Sequence, residues 1–152
     1  MNDDINFIKG IFEGLKADGE DVDNLLQCID DSTTIIADVE DAIAEIKKSV
    51  EDIKEKKILK LIEDFAQLFG DIKDLFVQVE PCAHANKDIM KIINIFKGMT
   101  AKKIAEKVAM NLLKNAYQSY KDVMQMVKDF ETKNYEDAGK MIGDILYRVF
   151  LE

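Results

Sequence analysis

Residues 32–53 read STTIIADVEDAIAEIKKSVEDI. Within them Ile36, Val39, Ile43, Ile46, Val50 and Ile53 recur at spacings of three, four, three, four and three, which draws one narrow apolar seam along an α-helix. Ser32 or Thr33 stands where an N-cap side chain accepts from the first turn. The alternation that a strand needs is sustained nowhere in the chain. A second stripe follows: Ile58, Leu61, Ile62, Phe65, Leu68, Phe69, Ile72, Leu75, Phe76 and Val79 form a broad apolar face of the kind buried at the centre of a bundle. Between Ile53 and Ile58 the spacing becomes five and lysine-rich chain intervenes. A turn is therefore expected over residues 54–58, although neither Gly nor Pro marks it.

A helix rises about 1.5 Å per residue, so the first seam travels roughly 35 Å and the second returns as far. If the two rods are antiparallel, Cys28 and Cys82 meet at one end of the hairpin, within the roughly 5.5 Å Cα separation of a disulfide. A Cys28–Cys82 bridge is expected, and an oxidising compartment with it. Two buried free thiols in a cytosolic protein are the alternative. One continuous helix through Lys56 would part the cysteines and remove the argument. Met1 to Asp4 are too acidic and polar for a secretory leader, so the expectation is either a cytosolic chain or a leader that precedes Met1.

Further amphipathic segments surround this hairpin. Asp3 to Ala17 carries Ile5, Ile8, Phe12 and Leu15 on one face and is ended by Gly19; Asp21 to Ile29 is short, with acids in its first turn. Pro81 is expected to stop the second long helix or to start its successor. That successor runs from Cys82 or Ala83 to Lys97 with Ile89, Ile92, Ile93 and Phe96 inward, and Gly98 supplies a left-handed end. After a Thr100 cap, Ala101 to Lys114 offers Ile104, Val108, Leu112 and Leu113 to the core. Ala116 to Phe130 offers Tyr117, Tyr120, Met124, Val127 and Phe130, with Asn115 only a kink between them. Asn134 caps a last helix bearing Ala138, Ile142, Leu146, Val149 and Phe150. The fold class is thus all-α: residues 1–152 form one bundle of about six to eight amphipathic helices.

The 152 residues are 47% hydrophobic and 34% charged with a single Pro, which excludes disorder, and no apolar run approaches the roughly 20 residues of a membrane span. Thirty acids against 21 bases give a net charge of −9, so the far field repels nucleic acid. His84 is the only histidine. With Cys82 two residues away it suggests a metal site or a nucleophile with its base, but structural zinc needs about four such ligands and none other exists. The acids Asp18, Glu20, Asp21 and Asp23 lack the central Gly and terminal Glu of a calcium loop, so a solvated helix start is expected there. No phosphate loop, nucleophile elbow or dinucleotide fingerprint is present. No cofactor or metal is expected, and enzyme is the least supported class. Gly139 and Gly143, four apart on one helix face, let another backbone approach closely. Internal packing is the plain reading of that pair; a ligand pocket or a self-association face is the other.

Four stretches carry a family resemblance: Asn6-Phe7-Ile8-Lys9-Gly10 with Phe12-Glu13-Gly14, Leu25-Leu26-Gln27-Cys28, Pro81-Cys82, and the tail from Asn134-Tyr135-Glu136-Asp137-Ala138-Gly139 through Ile142-Gly143-Asp144-Ile145-Leu146-Tyr147 to Phe150-Leu151. In these the chain resembles small secreted helical proteins of ciliates. The resemblance implies secretion and adds weight to the disulfide; it assigns no activity. The functional expectation is a non-catalytic structural or interaction protein, meeting copies of itself or a protein partner through helical surfaces. The rival is a carrier that holds a fatty acid or similar apolar molecule between helices.

Overall fold

In the computed structural model, which describes residues 2–54 and 58–152, eight α-helices follow one another. They are α1 (Asp3–Gly14), α2 (Gly19–Asp31), α3 (Thr33–Lys54), α4 (Ile58–Ala83), α5 (Lys87–Lys97), α6 (Ala101–Lys114), α7 (Ala116–Glu131) and α8 (Tyr135–Leu146), with a π-helical turn at Tyr147–Leu151. No strand occurs among the described residues, and the buried apolar side chains form a single cluster. The turn expected over residues 54–58 falls on 55–57, outside the described residues.

The hairpin is built as the two seams require. Val39, Ile43, Ile46, Val50 and Ile53 of α3 and Phe65, Leu68, Phe69, Ile72, Leu75, Phe76 and Val79 of α4 are all buried. The helices are antiparallel: Ser49 donates its hydroxyl to the Asp71 carboxylate midway, and Gln67 Nε2 donates to the same side chain at 3.0 Å. A chain of phenylalanine contacts then runs through the core from Phe12 to Phe76, Phe96, Phe150, Phe69 and Phe65, with successive ring centroids 5.3–5.6 Å apart. Such edge and tilted pairings add to the apolar area removed from water. The π turn, closed by Glu152 N–H on the Tyr147 carbonyl at 2.8 Å, shifts the helical phase and turns Phe150 into this chain.

Several helix ends differ from expectation for local reasons. Helix α1 stops at Gly14, not Ala17: Lys16 takes the left-handed position at φ 63°, with Ala17 N–H on Phe12 O and Lys16 N–H on Glu13 O, both at 3.0 Å. Gly19 starts α2, behind an Asp18 cap that accepts from the Glu20 and Asp21 amides. Pro81 does not stop α4, which continues to Ala83; Asn86 ends it by donating to the Cys82 carbonyl at 3.1 Å. Gly98 sits at φ −78°, so the left-handed role falls instead to Lys16 and Lys133. The N-termini of α2 and α5 exchange carboxylates: Asp18 N–H donates to Asp88, and Asp88 N–H to Asp21, each acid stabilising the other helix's positive end.

Five carboxyls are held above their usual range, in each case first by burial: Asp4, Glu13, Asp71, Asp129 and Asp144. The neighbouring Glu136 raises Glu13 further. Because the fold prefers these acids neutral, their stabilising contribution is complete below the unfolded carboxyl range and is lost as pH rises through the raised values. The melting temperature is therefore expected to be higher at about pH 4 than at about pH 7.5. Scanning calorimetry at the two values checks it, and an equal or lower melting point at the acid value contradicts it.

Candidate functional site

Three places merit description. At the open end of the hairpin, Cys28 near the end of α2 and Cys82 near the end of α4 lie with Cα atoms 5.6 Å and sulfurs 2.09 Å apart. His84 is exposed in the turn after α4, and the sulfur of its neighbour Cys82 lies at bonding distance from that of Cys28. Among the described residues, no group of three or more His, Cys, Asp or Glu is placed to hold a metal ion. No described helix is long and apolar enough to cross a membrane.

The second place is the crossing of α1 and α8. Gly139 and Gly143 lie against the α1 backbone, where an added Cβ would stand 2.2 Å from Phe7 O and 2.1 Å from Ile11 O. Two further glycines answer from α1: a Cβ on Gly10 would meet Glu136 O at 2.0 Å, and one on Gly14 would meet Lys140 O at 2.3 Å. Phe7 pairs with Gly139 and Ile11 with Gly143, so the helices run parallel, joining the two ends of the chain. The sequence reading singled out only the α8 pair. The same four-residue spacing at Gly10 and Gly14 was the signal for the other half. These glycines serve the fold, and their crossing leaves no room for a ligand.

The third place reverses an expectation. Leu113, Tyr117, Tyr120 and Met124, expected in the core, face solvent. With Met110 they form an exposed stripe at spacings of three, four, three and four across α6 and α7, and Met110, Leu113 and Tyr117 are 71%, 79% and 73% exposed. The stripe is continuous because Asn115 bends the rod without breaking it: its N–H reaches Asn111 O and its carbonyl accepts from Ser119 N–H, both at 2.9 Å. Helix α7 instead turns Ser119, Asp122, Val123, Met126, Val127 and Asp129 inward. The cause is Arg148, the only arginine, whose guanidinium meets Asp122 at 2.8 Å. Gln118 and Gln125 each brace the acid four residues on, Asp122 at 2.9 Å and Asp129 at 2.8 Å. Rotating α7 to bury its tyrosines would leave Arg148 without its partner, a costly arrangement for a partly buried charge.

Beside this pair, Phe65, Phe69, Val108, Leu112, Ser119 and Arg148 help to line a hollow of about 10 Å³, space for a single water. A broader, open groove of about 350 Å³ lies between α3 and α4, with Asp38, Asp41, Glu45 and Asp74 on its sides and half-buried Ala42 and exposed Val77 along it.

An all-α bundle with its termini packed together and a cysteine pair at bonding distance has the build of a small extracellular helical domain. The chain belongs to the SctB-like family, described as secreted protein B-like, whose family model matches residues 1–151. A secreted family points to an extracellular location, and the cysteine geometry is compatible with an oxidising compartment. No curated protein and no solved structure matches the chain significantly.

Proposed function

We propose that this chain is a non-catalytic secreted protein, braced by a Cys28–Cys82 disulfide, that acts by self-association through the α6–α7 stripe. The observation that carries the reading is the register of that stripe. Isolated exposed apolar residues are ordinary, whereas Met110, Leu113, Tyr117, Tyr120 and Met124 are all exposed and follow one another along a single face, the kind of contiguous patch that marks interaction sites on monomers. Tyrosine and methionine suit such a role, being large, adaptable and tolerant of water when unbound. The carrier reading draws less support, because the hollow beside Arg148 offers about 10 Å³ and the recesses of about 210 and 230 Å³ elsewhere are open to solvent and bordered by charged side chains such as Lys47, Glu51, Asp23 and Asp30.

Sedimentation velocity over a roughly hundredfold concentration range tests the proposal. The average mass of the native chain is expected to rise with concentration, and the Leu113→Glu, Tyr117→Ser variant to remain at monomer mass. Both side chains are solvent-exposed, so the variant should melt within about 0.5 kcal/mol of the native chain's stability. A native chain that holds monomer mass throughout would overturn the reading.

A further inference from the structure

The α6–α7 ridge differs from the rest of the surface in charge as well as in polarity. Between Ala101 and Glu131 stand six lysines, Lys102, Lys103, Lys107, Lys114, Lys121 and Lys128, in a chain whose net charge is −9. Of the four acids in the same span, Asp122 and Asp129 are buried, which leaves Glu106 and Glu131 at the surface. Lys114 and Lys121 fall in line with the stripe, and the Lys121 ammonium lies 4.9 Å from the Tyr117 ring centroid. The ridge is thus apolar along its crest and cationic along its flanks.

The α3–α4 groove has the opposite character. Four exposed carboxylates, Asp38, Asp41, Glu45 and Asp74, border it, with Lys48 at 3.4 Å from Glu45 as a partial counter-charge. Ala42 and Val77 give it an apolar strip, and among the described residues Val77 is one of the few large apolar side chains outside the ridge that remain exposed, at 40%. Ridge and groove share no residue. Helix α6 packs on α4 near Phe65 and Phe69, whereas the groove borders the later part of α4 at Asp74, Val77 and Gln78. Each molecule therefore carries both surfaces on different parts of its frame.

Resting on the self-association reading, we propose that the ridge of one copy docks in the α3–α4 groove of a second copy, crest on apolar strip and lysines on carboxylates. A symmetric ridge-to-ridge dimer would oppose lysine with lysine; the groove removes that repulsion and replaces it with attraction. Contact between two different surfaces is heterologous, so a docked pair still presents a free ridge at one end and a free groove at the other. Assembly then runs head to tail.

Two charge-reversed variants test the pairing, one with Lys114→Glu and Lys121→Glu on the ridge, the other with Asp41→Lys and Asp74→Lys in the groove. All four side chains are exposed, and circular-dichroism melting of each variant alone verifies that it folds. Sedimentation velocity of each variant is expected to show monomer. An equimolar mixture is expected to regain assembly beyond monomer mass, because the intact ridge of one variant meets the intact groove of the other and the reversed ridge, now acidic, meets the reversed groove, now basic. If the native chain assembles and the groove variant assembles equally well, head-to-tail docking is overturned while self-association stands. If the mixture stays monomeric although the native chain assembles, the docking pair is likewise wrong. A native chain that never exceeds monomer mass overturns both.

Discussion

Gly139→Ala is expected to destabilise the fold by about 3 kcal/mol or more, at the upper end of overpacking costs, and to lower the melting temperature by roughly 10 °C. The new methyl would stand 2.2 Å from Phe7 O and 3.0 Å from Ile11 N, atoms of a helix backbone that cannot rotate aside as a flexible side chain would. Relief requires α1 and α8 to separate, and every contact along their crossing is lost with the movement. The same exchange at Gly10, where the methyl would meet Glu136 O at 2.0 Å, is expected to be as damaging. Gly70→Ala is the control. It lies inside α4 with nothing within 4 Å of the added carbon, so the variant should gain up to about 1 kcal/mol from helix propensity alone. No glycine has a positive φ, which assigns the difference in sign to space and not to backbone conformation. Urea denaturation of the three variants reads both signs; Gly139→Ala melting with the native chain would mean that the helices do not approach this closely.

The contrast shows what a sequence can display. The α3 seam was legible because one helix, one face and one period coincide: Ile36 is half-buried, and Val39 through Ile53 are buried at the positions the spacing assigns. The hairpin followed from length alone. Gly139 and Gly143 were visible as a close-approach pair, but their counterparts Gly10 and Gly14 lie on a helix some 130 residues away, and nothing local says which surface will meet which. Helix α7 was harder still. It carries two neighbouring apolar stripes, Tyr117-Tyr120-Met124 and Val123-Met126-Val127, and hydrophobicity alone favours the larger side chains. What decides is Asp122 with Arg148, a pairing between helices that no periodicity reveals. The stripe expected in the core is the one that carries the proposed self-association, since a large apolar face left outside by such a constraint is a surface to be covered.

Removing the covalent link, by Cys28→Ser together with Cys82→Ser, is expected to cost about 4 kcal/mol and to lower the melting temperature by roughly 10 °C while helical content stays near native. The magnitude follows from the 54-residue separation of the cysteines: the open chain gains the conformations that a closed loop of that size denies it. The helices survive because their burial does not depend on the sulfurs, as the apolar seams of α3 and α4 pack along the whole hairpin. Changing both residues avoids a lone buried thiol, and the native chain treated with reductant should melt with the double variant. Thiol titration of the denatured, unreduced protein should find none. Two reactive thiols there would take the bridge out of the native molecule and, with it, the structural argument for an oxidising compartment; an unchanged melting point in the double variant would mean that the hairpin end is already held by its packing. The link also bears on assembly. It would fix the end of α4 against α2, and Val77 and Asp74 of the proposed docking groove lie five and eight residues before Cys82 on α4, so a bundle that loosens there should associate more weakly before it unfolds.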